Sequence, residues 1–310
     1  MLTYILKRIA QTIFTAFLAT ASVFVLLRLA PGDPAASYAP PNPTAAQLAA
    51  IRRQFGLDQP IPVQFWTFLT RLLHGDVGTS FFFKRPALQV VMERLPYTIT
   101  LAVAAILVTA LVAIPLGVWM ARNANTAPEL GANVGTIAGQ SMPDFWIGFV
   151  LLIVFAVNLG WFAPAGFDSM ASIVLPTVTI AILQIALISR LVRREMVANL
   201  NAPYLTVARS RGVSERRLIW SHAFGNSAIP VVTALGTRFA AMLNGVVIVE
   251  VVFKWPGVGE LVVNALQQRD FPLIQATVLV TVVLALLVQL AVDLLYPLMD
   301  PRVRLGEASA

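Results

Sequence analysis

Apolar and polar stretches alternate along the whole chain, and six of the apolar runs are long. Each run comes close to the roughly 20 residues that an α-helix needs to cross the hydrocarbon core of a bilayer. The first run exceeds the core of a signal peptide, which is about 7–15 residues long, and this argues for a retained span. The pattern predicts an all-α integral membrane protein with six transmembrane helices, at residues 9–29, 98–121, 135–159, 173–189, 229–253 and 273–298.

Lysine and arginine are distributed unequally among the short segments that join these runs. With the N-terminus inside, only Lys254 and Arg269 fall in short outer loops. Because basic residues collect on the cytoplasmic side of a membrane, we expect both termini, 1–8 and 299–310, and the polar segment 190–228 to be cytoplasmic. The basic residues placed inside are Lys7, Arg8, Arg122, Arg190, Arg193, Arg194, Arg209, Arg211, Arg216, Arg217, Arg302 and Arg304.

The same orientation places two segments, 30–97 and 254–272, outside the membrane. The long one mixes charges, prolines and aromatic residues, and is not membrane-like. Within it, residues 44–55 predict an amphipathic helix with Thr44 at the N-cap. Residues 62–73 predict a second helix, whose aromatic face either lies in the membrane interface or packs against neighbouring spans.

The composition agrees with a membrane protein. Hydrophobic residues make up 58% of the chain and charged residues 12%, with a mean hydropathy of +0.77; a soluble domain carries about 25% charged residues. The net charge is +7, but the arginines flank apolar runs instead of forming a basic face, so we expect no nucleic-acid binding. The chain has no cysteine, which excludes disulfides, thiolate metal sites and cysteine nucleophiles.

The sequence lacks the signatures of common catalytic sites. No lysine follows a glycine, so the chain has no phosphate-binding loop of the ATPase type. The two histidines, His74 and His222, are predicted on opposite sides of the membrane, which excludes a two-histidine metalloprotease site. A Gly-x-Ser-x-Gly motif is also missing. We expect no enzyme activity, no bound cofactor and no metal; a channel, a transporter or a membrane subunit driven by another chain remains.

The largest local charge lies in residues 203–230, between two apolar runs. Pro203 can open a short helix, and Gly212 suits the left-handed position that ends one. Ser214 can cap a second helix, with Glu215 at its positive end. A short, rigid, basic helix pair is suited to contact a protein outside the membrane. The alternative is a solvated loop that its charge keeps on the cytoplasmic side.

Three polar residues, Gln184, Arg238 and Asn244, lie inside predicted spans. An arginine at that depth costs about 2.5–3.5 kcal/mol on insertion scales, and such residues usually face a cavity or a partner. Arg238 either lines a translocation path, where it could meet a substrate carboxylate, or pairs with a carboxylate or helix carbonyls. Gln184 and Asn244 either line the path or form interhelical hydrogen bonds. Glu250 and Asp293 lie near span ends, where water is close.

Several short motifs occur in order over nearly the whole chain, and their joint order is more specific than any one of them. They are Pro-Gly-Asp-Pro at 31–34, Phe-Gly-Leu-Asp-Gln-Pro at 55–60, Gly-Asp-Val-Gly-Thr-Ser at 75–80, Met-Pro-Asp-Phe-Trp at 142–146, Gly-Trp-Phe at 160–162, Phe-Lys-Trp-Pro-Gly-Val-Gly at 253–259, and Asp-Leu-Leu-Tyr-Pro-Leu-Met-Asp-Pro-Arg at 293–302. From residue 2 to residue 304 the chain resembles the permease subunits of dipeptide, oligopeptide and nickel ABC importers.

The resemblance implies a type I, MetI-like permease fold over about residues 94–298. It also implies that the basic stretch is the family's coupling loop, whose glycine aligns with Gly212. The Glu-Ala-Ala of that loop appears here as Thr206-Val207-Ala208, so only the last alanine is kept. Leu218, Arg211 and Arg217 could add contacts. The residues implied to couple the chain to an ATPase are Tyr204, Leu205, Ala208, Arg209, Gly212 and Arg216.

The resemblance further implies a multi-pass protein of a bacterial or archaeal plasma (inner) membrane, surrounded by membrane lipid. The implied partners are a second homologous permease subunit, two ATP-binding subunits, which would use ATP and magnesium, and an extracytoplasmic solute-binding protein. The expected function is half of a translocation path for small peptides, with nickel complexes and related solutes left open. The alternative is an independent secondary transporter or channel, which predicts membrane acids or broken helices in paired repeats.

Overall fold

The computed structural model of the chain describes residues 2–29, 42–54 and 56–299. Within these ranges the regular structure is helical, and the predicted all-α class is confirmed. The α-helices of the described residues are α1 (Leu2–Leu29), α2 (Ala45–Gln54), α3 (Ile61–Leu73), α4 (Ala87–Arg122), α5 (Ala127–Ser141), α6 (Asp144–Leu151), α7 (Val174–Leu200), α8 (Pro203–Ser210), α9 (Glu215–Arg217), α10 (Phe224–Gly245), α11 (Val247–Val252), α12 (Val258–Gln267) and α13 (Phe271–Met299).

Four helical stretches of the described residues are long and apolar enough to cross a bilayer. A fifth candidate is a pair, Ala127–Ser141 with Asp144–Asn158, which bends by 99° at its break. The break falls at Met142 and Pro143, where the proline lacks the N–H that a continuous helix needs. The four unbroken stretches are Ile5–Leu29, Ala87–Arg122, Met170–Leu200 and Phe271–Leu294.

The boundaries of the helices differ from the predicted runs in several places. α1 and α4 begin at Leu2 and Ala87, well before the predicted runs 9–29 and 98–121, so the start of α4 lies in the segment predicted to be outside the membrane. α5 begins at Ala127, in the predicted polar turn 122–134, because Thr126 precedes it in extended conformation and a proline occupies its first turn. The predicted run 229–253 is divided between α10 and α11 at Val246. The motif at 31–34 and the tail after 299 lie outside the described residues.

α4 is the longest of these helices, and the core is built around it. Its 36 residues span about 54 Å at about 1.5 Å per residue, which exceeds a hydrocarbon core of about 30 Å. Three clusters of buried apolar side chains follow its length. The first joins the start of α4 to α12 and α13, the second joins its middle to α7, α10 and α11, and the third joins its end to α7 and α8.

Close approach of two helices explains one glycine in this core. A methyl group at Gly117 of α4 would lie 2.5 Å from the backbone oxygen of Ser189 and 2.5 Å from Cβ of Val192, both on α7. Small residues at such positions let helix backbones pack closely inside a membrane. The glycine therefore allows α4 and α7 to form one packed unit.

The cap that the sequence predicts for the first outer helix is present. The Gln47 backbone N–H donates to Thr44 Oγ1 over 3.3 Å, and the Thr44 backbone N–H donates to Gln47 Oε1 over 2.8 Å. This reciprocal pair is a capping box, which satisfies two N–H groups that the start of a helix leaves unpaired. Thr44 therefore fixes where α2 begins.

α3, the second helix predicted in the segment 30–97, packs against α1 on one face. The rings of Phe65 and Phe68 lie 5.4 and 5.5 Å from the ring of Phe24 in α1, between centroids. On another face, Trp66 is 66% exposed. Of the two sequence-based interpretations, packing on a neighbouring span is confirmed for the phenylalanine face.

Candidate functional site

α7 continues beyond its apolar run as a stalk and ends at Leu200. Arg193 of this stalk pairs with the buried Glu129 of α5, with Nε and Oε1 2.7 Å apart. The stalk carries α8, α9 and the π-helical turn Leu218–Ala223. We call residues 201–223 the coupling segment.

The turn between α8 and α9 has the predicted left-handed glycine. Gly212 has φ +79°, and no other heavy atom lies within 4 Å of where its Cβ would be. Its N–H donates to the Arg209 carbonyl over 3.0 Å, and the Val213 N–H donates to the Ala208 carbonyl over 3.3 Å. Ser214 precedes α9 in extended conformation, but its side chain makes no capping hydrogen bond, so that part of the prediction was wrong.

Two leucines attach the coupling segment to the body of the protein. Leu205 and Leu218 are fully buried, in the cluster that includes Val192 and Met196 of α7. The sequence analysis assigned both leucines to contact with a partner, and their burial contradicts this. In a helix as short as α8, one face must cover the stalk, and Leu205 lies on that face.

A hydrogen-bond network also holds the coupling segment. The Tyr204 hydroxyl accepts a hydrogen bond from Asn226 Nδ2 at 2.9 Å and donates to Asn199 Oδ1 at 3.3 Å. Asn199 Nδ2 in turn donates to Ser227 Oγ at 2.9 Å. These bonds join α8 to both α7 and α10, so a displacement of α8 reaches two long helices.

The surface of the coupling segment that faces away from the stalk is partly apolar and strongly basic. Val207 is 51% exposed, and Tyr204 and Trp220 are also exposed. Among the implied residues, Arg209, Gly212 and Arg216 are exposed, and Ala208 is half-buried. The sequence analysis did not select Val207 or Trp220. Val207 stands two residues after the buried Leu205, which places it on a different face of α8.

Electrostatics divide the exposed arginines into two kinds. Arg209 Nε donates to Glu215 Oε1 over 2.7 Å, across the Gly212 turn. This hydrogen bond and the attraction between the charges lower the pKa of Glu215 and raise the pKa of Arg209. Arg211, Arg216 and Arg217 have no ion-pair partner among the described residues. Among the described residues, no carboxylate of this chain offsets the charge of these three arginines.

The three candidate path residues do not form one site among the described residues. Arg238 is exposed on α10, and no described residue pairs with it. Gln184 on α7 is half-buried, and its Oε1 is buried without a hydrogen-bond partner among the described atoms. The side chain of Asn244 lies outside the described residues. No hydrogen bond among the described residues joins Arg238 to Gln184.

Glu250 forms a buried site that the sequence analysis left without a role. Its Oε1 accepts a hydrogen bond from Thr98 Oγ1 at 2.7 Å. Its Oε2 accepts from the backbone N–H groups of Gly259 at 2.6 Å and Glu260 at 3.1 Å, in the first turn of α12. The Val258 N–H donates to Thr98 Oγ1 at 2.8 Å. One carboxylate thus caps α12 and joins it to α4 and α11.

The Glu250 carboxylate explains why the motif at 253–259 has glycine at positions 257 and 259. A methyl group at Gly257 would lie within 2.5 Å of all three terminal atoms of the Glu250 carboxyl group, and one at Gly259 would lie 2.6 Å from Cα of Val247. Only glycine leaves room there. The fully buried Trp255 donates from Nε1 to the Tyr97 carbonyl at 3.1 Å. The signal in the sequence was an acidic residue seven positions before a Gly-x-Gly pair.

Two family descriptions match the chain, and together they cover most of it. Residues 1–102 match the N-terminal binding-protein-dependent transport system membrane component. Residues 113–305 match the binding-protein-dependent transport system inner membrane component. The second match alone includes more than half of the chain.

Curated relatives match over almost their full length. The glutathione transport system permease protein GsiC of Salmonella typhimurium is 37% identical over 304 residues, 98% of this chain and 99% of the relative. A probable peptide ABC transporter permease protein of Sinorhizobium fredii is 38% identical over 309 residues, 97% of this chain and 99% of the relative. A putative peptide transport system permease protein of Brucella abortus is 38% identical over 308 residues, 97% and 98% of the two chains.

Solved structures share the fold. A chain of the inward-facing MetNI methionine ABC transporter matches with a TM-score of 0.56 at 15% identity, over 68% of this chain and 97% of that one. A chain of an amino acid ABC transporter matches with a TM-score of 0.51 at 17% identity, over 67% of this chain and 93% of that one. The expected MetI-like fold is therefore confirmed for the core. With the family matches, these findings show that the chain belongs to the binding-protein-dependent transport system inner membrane components, the permease subunits of ABC importers.

Proposed function

We propose that this permease forms half of a translocation path for small peptides, and that a second permease of the same fold forms the other half. The names of its relatives, which concern glutathione and peptides, support this class of substrate. The proposed partners are two ATP-binding subunits, which use ATP and magnesium, and an extracytoplasmic solute-binding protein. The chain itself binds no cofactor.

The observation that carries this proposal is the geometry of the coupling segment. Its exposed surface combines Val207 with three arginines that pair with no described carboxylate, while Leu205 and Leu218 fix its other side to the stalk. A coupling element must be stiff, since a flexible one would absorb the motion of its partner. The apolar centre suits a cleft in an ATPase, and the arginines suit acidic groups at the rim of that cleft.

The proposed topology has six spans with both termini in the cytoplasm. The span that completes the six is α10 with α11, which is the fifth in chain order. α10 alone has 22 residues and spans about 33 Å, at about 1.5 Å per residue, which suffices for a hydrocarbon core of about 30 Å. The location is then a bacterial or archaeal inner membrane, with the coupling segment inside and α3 outside.

The proposed path lies along the exposed face of α10, where Arg238 has no partner among the described residues. An unpaired arginine at this depth is costly unless it faces water or a second chain. We place Arg238 at the border with the second permease, where it can attract the carboxylate of a peptide. Gln184 and Asn244 are the further candidates for this path.

Site-specific crosslinking tests whether the coupling segment contacts an ATP-binding subunit. Because this chain has no native cysteine, it adds no background labelling. Val207→Cys, labelled with a benzophenone maleimide in the assembled transporter, is expected to crosslink to an ATP-binding subunit. Trp66→Cys on α3 is the matched control, since Trp66 is also well exposed but lies on the side proposed to be outside. Crosslinking of the ATPase from Trp66→Cys, and none from Val207→Cys, contradicts the proposal.

A further inference from the structure

A cavity of about 390 Å³ lies where α1 ends, α13 begins and α3 crosses between them. Its lining includes Arg28 at the end of α1, Arg71 of α3, Lys84 of the following loop, and Gln275 near the start of α13. The first turn of one span and the last turn of another both border it. The cavity is therefore at the level of the membrane surface, whichever side of the membrane that is.

The described lining is rich in cations and donors. It contains three basic residues, Arg28, Arg71 and Lys84, against one acidic residue, Asp76. Asp76 Oδ2 accepts from Arg71 Nε at 2.9 Å, and Asp76 Oδ1 accepts from the Gly78 N–H at 2.9 Å. Burial raises the pKa of Asp76, but these hydrogen bonds and the charge of Arg71 outweigh it and leave the pKa lowered. Arg71 and Asp76 pair with each other, and the excess of basic over acidic residues still leaves the described lining with a net positive charge, which favours an anion.

Gln275 is a second, independent indication of a ligand. Its side chain is only 9% exposed, and its Nε2 is buried with no hydrogen-bond partner among the described atoms. Buried amide donors are almost always paired, because an unpaired one loses its hydrogen bonds to water without compensation. The same residue lines the cavity. Nε2 is closed to solvent in this conformation, so a rotation of the side-chain amide must bring it to an acceptor bound in the cavity.

The apolar surface beside the cavity suits a lipid. α3 lines the cavity with Val63 and Phe68 and also exposes Ile61 and Trp66. Exposed aliphatic side chains and a tryptophan on a short helix are typical of the membrane interface. A phospholipid headgroup could reach the cations while its acyl chains lie against these residues.

We propose that this cavity is a phosphate-binding site, filled by the phosphate group of a phospholipid headgroup or by free phosphate. Lys84 and Arg71 supply charge, and the Gln275 amide donates a hydrogen bond to a phosphate oxygen. The site is separate from the coupling segment and the candidate path. Such a site would let the permease bind a phospholipid or phosphate, which membership of its family does not by itself imply.

The test uses the purified full chain in its complex and two probes, short-chain phosphatidylglycerol and inorganic phosphate, with binding measured by native mass spectrometry and titration. Lys84→Gln is expected to weaken binding of the probe about tenfold, the loss of one charge-assisted hydrogen bond. Gln275→Leu is expected to act in the same direction. Lys254→Gln is the matched control, because Lys254 is also an exposed lysine with positive φ and lies outside the cavity.

The two probes identify the source of the phosphate. Binding of phosphatidylglycerol that inorganic phosphate does not displace supports the lipid form, and binding of inorganic phosphate with the same sensitivity to Lys84→Gln supports the free form. Because Lys84 is exposed, its variant keeps the test valid if Gln275→Leu does not fold. Binding of neither probe, or equal affinity in wild type, Lys84→Gln and Lys254→Gln, overturns the proposal.

Discussion

Replacing Glu250 by alanine is expected to lower the free energy of unfolding by about 3 kcal/mol or more. The carboxylate accepts hydrogen bonds from Thr98, Gly259 and Glu260, and the site is fully buried. Alanine leaves each donor without an acceptor, at about 1–3 kcal/mol per buried donor, and adds a cavity. The start of α12 would then separate from α4, and the Trp255 loop would lose its support.

Thermal unfolding in detergent, followed by tryptophan fluorescence, measures this effect. Trp255 is fully buried beside the site, so its emission reports loss of the local packing. We expect the midpoint to fall by about 6 °C or more, given about 2–4 °C per kcal/mol for chains approaching this size. The midpoint of Glu250→Gln should lie between those of wild type and Glu250→Ala, because an amide keeps one acceptor oxygen but turns its NH₂ toward the donors.

Glu93→Ala is the matched control for this prediction. Glu93 also lies near the start of the transmembrane bundle, but its pair with Arg85, at 2.7 Å, is on the surface. Such a pair contributes little, so the midpoint should stay close to that of wild type. Equal midpoints for Glu250→Ala and Glu93→Ala would show that the buried carboxylate does not stabilise the outer end of the molecule.

Replacing Val207 by aspartate is expected to weaken attachment of the ATP-binding subunits by about 2 kcal/mol or more, about 30-fold in affinity. Val207 is an exposed apolar residue of the coupling segment, and a carboxylate in its place would have to be desolvated on docking. The partner of a surface with three unpaired arginines should also be acidic, so the new charge is repelled. Because Val207 is exposed, the fold of the permease should not change.

Co-purification of a tagged permease with its partners measures this loss. The second permease should remain bound, since Val207 is on the coupling segment and not on the transmembrane surface, and only the ATP-binding subunits should be depleted. Val63→Asp on α3 is the control, because Val63 is 48% exposed and thus close to Val207 in exposure. If Val207→Asp retains the ATP-binding subunits, the contact with these subunits does not lie at Val207.

Local sequence rules predicted the elements whose determinants are close together in the chain. Thr44 and Gln47 are three residues apart, and their capping box is present. Gly212 has the left-handed conformation that ends α8. In both cases the hydrogen bonds that decide the structure join residues within one turn of each other, so tertiary packing has little to add.

The direction in which a short helix faces could not be predicted in the same way. Leu205 and Val207 are both apolar, and α8 has too few residues for its periodicity to decide which one covers the stalk. The stalk itself decides, because Val192 and Met196 offer the apolar surface that Leu205 covers. The sequence therefore selected Leu205, which is buried, and not Val207, which is exposed.

The Glu250 site was missed because its side-chain partner is distant in sequence and its nearby backbone donors are recognisable only in the folded chain. Thr98 is 152 residues away, and the glycines of the motif after the fifth run gain their meaning only when the carboxylate lies against them. From the sequence alone, Glu250 is one acidic residue near the end of a span. Its role follows from the packing of α4, α11 and α12.

The most direct test of the account is uptake of a labelled small peptide into proteoliposomes. The permease is reconstituted alone, and also together with its second permease, the ATP-binding subunits and the binding protein. The account predicts uptake only in the full assembly, and only when ATP reaches the ATP-binding subunits. Peptide uptake by the permease alone, without ATP, would contradict it and would favour an independent transporter.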